Sequence, residues 1–246
     1  MQIVEKKVIV VTGGSGLIGK SIITLLRREG AIVVNADINA SNNLTNGELN
    51  CDVTDAESVH ELIKQVLSLE GRIDGWVNNA YPRTNDWGKK FEDIPAVSWE
   101  KNVNLQMNSV FICSQAVLSV MKEQGFGSLV NISSIYGVVG PDFNVYEGSD
   151  MTMPAAYSAI KGGIINFSRY LASYYGKFGI RVNCVSPGGI YDRQPELFVQ
   201  NYNQKVPMRR MGCPEDISPS VVFLLSDSAS YITGHNLIID GGWTAI

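Results

Sequence analysis

Short runs of apolar, mostly β-branched residues alternate along the chain with longer segments in which apolar residues recur at helical spacing. The short runs predict six strands, at residues 7–12, 31–36, 73–78, 128–132, 180–185 and 236–239. The longer segments predict five helices, at residues 17–29, 56–69, 98–124, 156–177 and 214–225. Apolar strands that alternate with helices are typical of a parallel sheet covered on both faces. The pattern therefore predicts an α/β fold, a Rossmann-type doubly wound parallel sheet.

The organisation of the chain favours a single domain over residues 1–246. The sequence contains no internal repeat, low-complexity segment or Pro/Ser-rich linker. Two irregular stretches, at residues 137–154 and 187–210, are rich in Gly, Pro, Asp and aromatic residues. Since ligands of doubly wound folds bind beyond the carboxyl ends of the strands, we expect both stretches to be substrate loops.

Composition narrows the class of protein further. Of the 246 residues, 45% are hydrophobic and 18% are charged, and this composition excludes a disordered chain. The net charge of −4 argues against a nucleic-acid partner. No apolar stretch reaches the roughly 18 residues of a membrane span. The N-terminus predicts a first strand and not a signal peptide, so a cytoplasmic location is expected. Four dispersed cysteines predict buried free thiols, and two histidines that do not cluster with them predict no metal site.

A glycine-rich segment, TGGSGLIG at residues 12–19, follows the first predicted strand and opens the first predicted helix. Glycine tolerates positive φ and lets the backbone approach a pyrophosphate, and the helix N-terminus offers free N–H groups. Methyltransferases and other folds use similar turns, so the position of this turn in the chain is what strengthens the prediction. The residues expected to hold the phosphates of a dinucleotide are Gly13, Ser15, Gly16, Leu17, Ile18 and Gly19.

Asp37 lies at the end of the second predicted strand, 24 residues after Gly13. A carboxylate there accepts hydrogen bonds from both adenosine ribose hydroxyls and repels a 2′-phosphate. No Lys or Arg lies between Gly30 and Asn50 to bind such a phosphate. The sequence therefore favours NAD over NADP as the cofactor, with a helix cap or turn aspartate as the alternative role of Asp37.

Tyr157 and Lys161 form a Y-x-x-x-K motif on a predicted helix, and the i,i+4 spacing places both on one face. The pKa of a free phenol is about 10, and a neighbouring ammonium lowers the pKa by favouring the phenolate. Such a pair can exchange a proton with an alcohol or a carbonyl as hydride moves to or from nicotinamide. Taken alone, the motif fits a surface Tyr–Lys pair better.

Further motifs occur in a fixed order along the chain. After the glycine-rich turn and Asp37 they are Cys51-Asp52-Val53, Asn78-Asn79-Ala80, Asn131-Ile132-Ser133-Ser134, Tyr157-Ser158-Ala159-Ile160-Lys161, Pro187-Gly188-Gly189-Ile190 and Asp240-Gly241-Gly242. In these motifs, and over nearly its whole length, the chain resembles the short-chain dehydrogenase/reductase family in its single-domain branch.

The resemblance implies an NAD-dependent reaction that interconverts a secondary alcohol and a ketone, with Tyr157 as the general acid/base. It implies that Lys161 binds the nicotinamide ribose and tunes Tyr157, and that Ser134 hydrogen-bonds the substrate oxygen; a strand-end turn serine is the alternative. It also implies a homotetramer or homodimer, to which the apolar stretch of the long helices and the apolar tail at residues 243–246 would contribute unless they pack within one subunit. The residues that it implies for the cofactor groove are Asp52, Val53, Asn78, Asn79, Ala80, Pro187, Gly188 and Ile190.

Three departures from the family concern the reaction. The glycine spacing T-G-x-x-G-x-x-G resembles the longer, sugar-nucleotide-modifying branch, so an epimerase or dehydratase with tightly bound NAD is one alternative and a non-catalytic dinucleotide-binding protein another. The family places an Asn for a proton relay on the long fourth helix, and counting without gaps puts Gln106 at that position, where its amide still donates and accepts hydrogen bonds. Asn104 would take this role only if a helix bulge turned its side chain to the same face. Asp192 stands where the family has a Thr, and its charge would favour the oxidised nicotinamide.

The substrate side shows an insertion and a polar loop. About ten extra residues separate Ser134 from Tyr157, and Asp142, Tyr146, Glu147 and Asp150 in them predict a polar substrate wall or, alternatively, a solvated loop or subunit contact. The second loop contributes Tyr191, Arg193, Gln194, Asn201, Tyr202 and Asn203. Arg83 can attract a phosphate or carboxylate, or is equally well a solvated surface residue. Together these side chains predict a polyhydroxylated substrate such as a sugar or amino sugar. The insertion and the NNAYPR segment resemble reductases of bacterial surface-glycan and flagellin-modification gene clusters.

Overall fold

Seven parallel strands form one sheet in a computed structural model, which describes residues 2–246. They are β1 (Val8–Thr12), β2 (Ile32–Asp37), β3 (Glu48–Asn50), β4 (Gly75–Asn78), β5 (Gly127–Ile132), β6 (Ile180–Pro187) and β7 (Asn236–Ile239). Their order across the sheet is β3-β2-β1-β4-β5-β6-β7. The order reverses between β1 and β4, so the loops after these two strands diverge and leave a crevice at the carboxyl edge. The predicted Rossmann-type fold is confirmed.

Helices connect the strands and cover both faces of the sheet. They are α1 (Leu17–Arg28), α2 (Ala56–Glu70), α3 (Ala96–Val103), α4 (Ser109–Gln124), α5 (Ala155–Tyr175), α6 (Glu196–Lys205) and α7 (Pro214–Leu225). The single helix predicted at residues 98–124 consists of α3, a π-helical turn at Asn104–Asn108, and α4. Neither β3 nor α6 was predicted. Within residues 2–246 no helix is both long and apolar enough to cross a membrane.

Adjacent residues of the central strands belong to two different apolar cores. Val10 of β1 lies in a cluster that includes Leu118 of α4, whereas its neighbour Val11 lies in a cluster with Ile22 of α1 and Val221 of α7. Successive strand residues point to opposite faces, and here both faces are covered. The sequences of the strands are continuous apolar runs for this reason.

A third apolar cluster lies beyond the carboxyl edge of the sheet and joins the insertion, α6 and the C-terminus. Trp243 is buried in this cluster and stacks on Tyr202 of α6, with ring centres 4.6 Å apart. Ile246 is exposed. The expectation that the tail at residues 243–246 supplies a subunit contact is therefore wrong for Trp243, which packs within its own chain.

All four cysteines are free. Cys51, Cys113 and Cys184 are buried, as predicted. Cys213 is exposed where it precedes α7, so the expectation of a buried thiol is wrong for this residue.

Candidate active site

A cleft of about 1140 Å³ opens where the strands end. Its volume exceeds the roughly 300–1,000 Å³ of most small-ligand pockets, which leaves room for a dinucleotide and a substrate together. The sequence-predicted residues that line it are Gly13, Ser15, Gly16, Leu17, Ile18, Asp37, Asp52, Val53, Asn79, Ala80, Ser134, Tyr157, Lys161, Pro187, Gly188 and Ile190. Gly19, Asn78 and Gln106 were predicted as well, but they do not line the cleft.

The glycine-rich turn is held tightly against the loop that follows β4. Gly13 has a φ of +63°, and a Cβ there would lie 2.6 Å from the Cα of Ala80. A Cβ on Gly19 would lie 2.4 Å from the Gly13 carbonyl oxygen. The side-chain amide of Asn79 donates to the carbonyl oxygens of Gly13, at 2.9 Å, and of Thr12, at 3.1 Å. Gly19 therefore serves the packing of α1 against the turn and does not line the cleft.

The N-terminus of α1 borders the cleft without a side-chain cap. Gly16 precedes the helix, and no side chain of the described residues accepts the N–H groups of its first turn. Leu17 and Ile18 line the cleft, and a Cβ on Gly16 would approach only the Gly13 oxygen, at 3.2 Å. Free N–H groups, an open approach and the positive end of the helix dipole together fit the phosphates of a dinucleotide.

Asp37 ends β2 beside this turn. One oxygen of its carboxylate accepts the backbone N–H of Ser15 at 3.1 Å, and the other accepts that of Asn39 at 2.9 Å. Asp37 is thus a turn aspartate, the alternative role, and at the same time a carboxylate that borders the cleft. The cleft residues contributed by β2, β3 and the turns after them include no Lys or Arg; they are Ala36, Asp37, Ile38, Asn39, Cys51, Asp52 and Val53.

Asn78 lies inside the sheet and not in the cleft. Its side-chain amide donates to Ser114 Oγ at 3.1 Å and to Asn131 Oδ1 at 2.8 Å, and it accepts the indole N–H of Trp76 at 2.7 Å. The expectation that Asn78 lines the cofactor groove is therefore wrong. Asn78 is still part of β4, whereas Asn79 lies beyond the strand end and reaches the glycine turn.

Two segments, the turn after β5 and the start of α5, bring Ser134, Tyr157 and Lys161 together in the cleft. Ser134 follows β5 and is buried, and its Oγ accepts the backbone N–H of Tyr136 at 3.2 Å, as a turn serine does. Tyr157 lies in the first turn of α5 and Lys161 in the second. Lys161 Nζ donates to the carbonyl oxygen of Ile132 at 2.9 Å and lies 5.5 Å from the centre of the Tyr157 ring.

Burial dominates the protonation of both helical side chains. Burial raises the pKa of Tyr157, and hydrogen bonding with Ser134 opposes that rise. Burial lowers the pKa of Lys161 to about 8, because desolvation penalises the ammonium. The expectation that Lys161 lowers the pKa of Tyr157 is therefore wrong for the protein alone, since both side chains shift toward their neutral forms.

Comparisons with known proteins show which family the chain resembles. The family model described as "Enoyl-(Acyl carrier protein) reductase" matches residues 15–244. The chain is 34% identical over 252 residues to post-translational flagellin modification protein A of Campylobacter coli, covering 97% of this chain and 98% of that protein. It is 34% identical over 264 residues to 2-(S)-hydroxypropyl-CoM dehydrogenase 3 of Xanthobacter autotrophicus, covering 98% of each.

A solved structure agrees with these relatives. A short chain dehydrogenase from Leptospira borgpetersenii with bound NAD⁺ matches with a TM-score of 0.89 at 35% identity, covering 98% of this chain and 93% of that one. The chain belongs to the short-chain dehydrogenase/reductase family. The resemblance drawn from the motifs is thus confirmed, and the relatives include one named for flagellin modification.

In this short-chain dehydrogenase/reductase the position expected for the relay amide falls in the π-helical turn Asn104–Asn108. Gln106 is only 4% exposed, and its Nε2 and Oε1 have no hydrogen-bond partner within residues 2–246. Asn104 is exposed, and its side chain accepts from the amide of Asn108. A helix bulge therefore exists, as one alternative supposed, but it leaves Asn104 outside and Gln106 buried.

An aromatic corner surrounds the Tyr157 ring, and the motif analysis did not predict it. Tyr81 and Trp87, from the segment after β4, meet this ring edge-on with centre-to-centre distances of 5.8 and 6.3 Å. The Tyr81 ring lies 5.6 Å from Lys161 Nζ and 5.2 Å from the guanidinium carbon of Arg83. Burial raises the pKa of Tyr81, so its phenol stays protonated. The one signal in the sequence is the aromatic residue directly after the NNA motif.

The insertion packs against α6, where polar contacts join the two. Asp142 pairs with Lys205 at 2.9 Å, and the carbonyl oxygen of Glu147 accepts the side-chain amide of Asn201 at 3.3 Å. A Cβ on Gly148 would lie 2.7 Å from a methyl carbon of Leu197. Asp142 and Glu147 therefore contact α6, and the expectation that they line the substrate wall is wrong.

Of the other polar residues of the two loops, some line the cleft and some do not. Tyr146 and Asp150 of the insertion line the cleft, as do Gln194 and Tyr202 of the second loop. The side chains that do not line it are Tyr191, Arg193, Asn201 and Asn203. Together the loops form a wall that mixes aromatic rings with a few polar groups.

Asp192, which was expected to stand where the family has a threonine, also lines the cleft. Its backbone N–H donates to Gln194 Oε1 at 2.7 Å, and the Gln194 amide donates to the carbonyl oxygen of Ile190 at 2.9 Å. This turn fixes the backbone around Asp192 without using its carboxylate.

Proposed function

We propose that this protein is an NAD-dependent oxidoreductase that interconverts a secondary alcohol and a ketone, with Tyr157 as the general acid/base. The observation that carries the proposal is that Ser134, Tyr157 and Lys161 line one cleft together with the glycine turn and Asp37. The relative from Leptospira borgpetersenii has NAD⁺ bound. When bound, the nicotinamide supplies or accepts the hydride.

Each catalytic side chain has one task in this proposal. The Tyr157 phenol gives its proton to the carbonyl oxygen during reduction and takes one from the alcohol during oxidation. Ser134 Oγ hydrogen-bonds the same substrate oxygen. Lys161, held by the carbonyl oxygen of Ile132, binds the nicotinamide ribose. Gln106 is the proposed relay residue, because its buried amide has no partner within the described part of the chain.

The proposed preference for NAD over NADP depends on the carboxylate of Asp37. This carboxylate borders the cleft, and the cleft residues from β2 and β3 bring no cation to neutralise a 2′-phosphate. Replacing Asp37 with serine removes the repulsion, so we expect the ratio of kcat/KM for NAD to that for NADP to fall at least about tenfold. Wild-type protein that turns over NADP faster than NAD would contradict the assignment.

The proposed substrate is polyhydroxylated, such as a sugar or amino sugar. The hydroxyls of Tyr136 and Tyr146 are both buried at the cleft and lie 3.5 Å apart, longer than the roughly 2.5–3.0 Å of a good O–H···O bond. Both hydroxyls are therefore able to bond a substrate hydroxyl. Asp150 and Arg83 add polar groups to the same cleft, and Arg83 suits a phosphate or carboxylate. The name of the flagellin-modification relative is consistent with this class.

The test is NADH formation at 340 nm over a panel of sugars and alcohols that includes cyclopentanol and cis-1,2-cyclopentanediol, which differ by one hydroxyl. We expect turnover of secondary alcohols, a higher kcat/KM for the diol, and a loss of at least about 100-fold in kcat for Tyr157→Phe with NADH binding retained. Absence of turnover with cofactor bound would favour a non-catalytic dinucleotide-binding protein. NAD that co-purifies with the chain and undergoes no net turnover would favour an epimerase or dehydratase.

Asp192 is proposed to favour the oxidised nicotinamide through its negative charge. In Asp192→Thr the affinity for NAD⁺ should fall relative to that for NADH. An unchanged ratio of the two dissociation constants would exclude this role.

A homotetramer or homodimer is proposed because α4 and α5 expose aromatic side chains. Phe111, Tyr170 and Tyr174 are exposed, and the Tyr170 and Tyr174 rings stack with centres 6.1 Å apart. Exposed aromatic faces of this kind mark contact surfaces between copies. Light scattering after size-exclusion chromatography gives the oligomeric state of the wild type and of a Tyr170→Glu variant. A monomeric wild type would refute the proposed oligomer.

A further inference from the structure

We propose that Tyr202 is a positioning residue that fixes the backbone at Gly189 and thereby the nicotinamide end of the cofactor site. The proposal rests on the proposed NAD binding and adds a residue that the family motifs do not include. Tyr202 lies near the C-terminal end of α6, within the stretch predicted as an irregular loop. Its side chain is only 2% exposed and reaches the segment that follows β6.

The first observation is a hydrogen bond to the backbone. The N–H of Gly189 donates to the Tyr202 hydroxyl at 2.5 Å, while the carbonyl oxygen of Gly189 accepts the N–H of Gly212 at 2.9 Å. Both backbone groups of Gly189 are thus engaged, one of them by a side chain. Without the hydroxyl, this partly buried N–H would have no acceptor among the described residues.

The second observation is the closeness of the packing. A Cβ on Gly189 would lie 2.6 Å from the Tyr202 Cζ, and a Cβ on Gly188 would lie 3.1 Å from the Tyr202 hydroxyl oxygen. The Trp243 ring stacks on the Tyr202 ring at 4.6 Å with an interplanar angle of 21°. Tyr202 is therefore held by Trp243 and in turn supports the two glycines.

These contacts link the substrate wall to the cofactor groove. Gly188 and Ile190, which flank Gly189, line the cleft and are expected in the cofactor groove, a few residues before Asp192, which is proposed to act on the nicotinamide. Phe198, one turn before Tyr202 on α6, lines the cleft as part of the substrate wall. A single helix thus presents one aromatic residue to the substrate and another to the backbone under the nicotinamide.

Tyr202→Phe tests the proposal, because phenylalanine keeps the ring and its stacking and removes only the hydroxyl. NADH and ADP-ribose are titrated into wild type and variant by calorimetry; ADP-ribose shares the adenine, phosphates and both riboses but lacks the nicotinamide. We expect the Kd for NADH to rise about tenfold and that for ADP-ribose to change less than twofold. Tyr231→Phe, which removes a fully exposed hydroxyl, should change neither affinity.

Trp243→Phe provides a second variant that leaves the Tyr202 hydroxyl in place and weakens its support. We expect a smaller rise in the Kd for NADH, again without a change for ADP-ribose. Equal weakening of both ligands in Tyr202→Phe would indicate general disruption and overturn the positioning role, as would unchanged NADH binding. Wild type that binds neither ligand would instead overturn the proposed function, and the inference with it.

Discussion

Replacing Gly137 with alanine should push the turn after Ser134 away from the helix of Tyr157 and Lys161. Gly137 ends a short 3-10 turn, and a Cβ there would lie 2.6 Å from the Lys161 carbonyl carbon and 2.8 Å from the Gly162 nitrogen. Both are backbone atoms of α5, so no side chain can rotate out of the way. The turn must move by about 0.8 Å, the difference between 2.6 Å and the 3.4 Å at which ordinary contact begins.

The size of the effect follows from this displacement. Forcing an extra carbon into a packed contact costs about 1–3 kcal/mol, which in a domain of this size lowers Tm by about 2–12 °C. Misplacing catalytic groups by about 1 Å lowers the rate by up to about 100-fold, so we expect kcat to fall by about 10- to 100-fold. Gly140→Ala is the matched control, because a Cβ at Gly140 meets nothing within 4 Å. Both substitutions reduce the entropy of the unfolded chain alike.

The assay compares thermal unfolding and steady-state kinetics of the two alanine variants with the wild type, using the best alcohol from the 340-nm panel. We expect Gly137→Ala to lose both Tm and kcat and Gly140→Ala to lose neither. Equal melting temperatures for the two variants would refute the packing argument. A lower Tm with an unchanged kcat would show that the contact stabilises the fold without setting the position of Ser134 relative to α5.

Two further predictions follow from buried polar groups. Between pH 8 and 10.5 the unfolded chain binds the Lys161 proton more tightly than the folded chain does, because burial lowers the pKa of Lys161 in the folded state. Across this range the free energy of unfolding of the wild type, measured by denaturant titration at each pH, should therefore rise by up to about 3 kcal/mol relative to that of Lys161→Met. A constant difference between the two proteins would contradict the lowered pKa. Gln106→Leu removes two unpaired buried polar atoms, so the free energy of unfolding should rise by about 1–3 kcal/mol while turnover is lost. The control Asn104→Leu, at an exposed position, should change neither the stability nor the turnover. Retained turnover in Gln106→Leu would exclude the relay role.

The parallel sheet could be predicted because its strands are apolar on both faces and its helices are long and periodic. The two elements that were not predicted, β3 and α6, have identifiable causes. β3 has three residues, too few for a periodic signal, and it lies at the edge of the sheet beside β2. α6 lies in a stretch of mixed aromatic and polar residues, and it is held by contacts with the insertion and Trp243, which are distant in sequence.

The candidate site divides in the same way. The glycine turn, Asp37 and the Tyr157–Lys161 pair follow from local spacing, and the structure brings them to one cleft. The corner of Tyr81 and Trp87 and the support of Gly189 by Tyr202 depend on contacts between segments far apart in the chain. No local pattern in a single sequence specifies such contacts. The direction of the Tyr157 pKa shift was missed for the same reason, because burial is a property of the assembled fold.

In the proposed reaction, burial also affects when Tyr157 can act as a base. The Lys161 ammonium has a backbone carbonyl as its hydrogen-bond partner within the described chain, and burial moves the pKa of Lys161 down and that of Tyr157 up. A phenol that keeps its proton is ready to donate it to a ketone oxygen, whereas alcohol oxidation requires the phenolate. The phenolate needs a positive charge close by; the Lys161 ammonium lies 5.5 Å from the centre of the Tyr157 ring, and in the proposed reaction the oxidised nicotinamide would add a second positive charge. The tuning of Tyr157 is therefore a property of the complete site, with Lys161 as only one contributor.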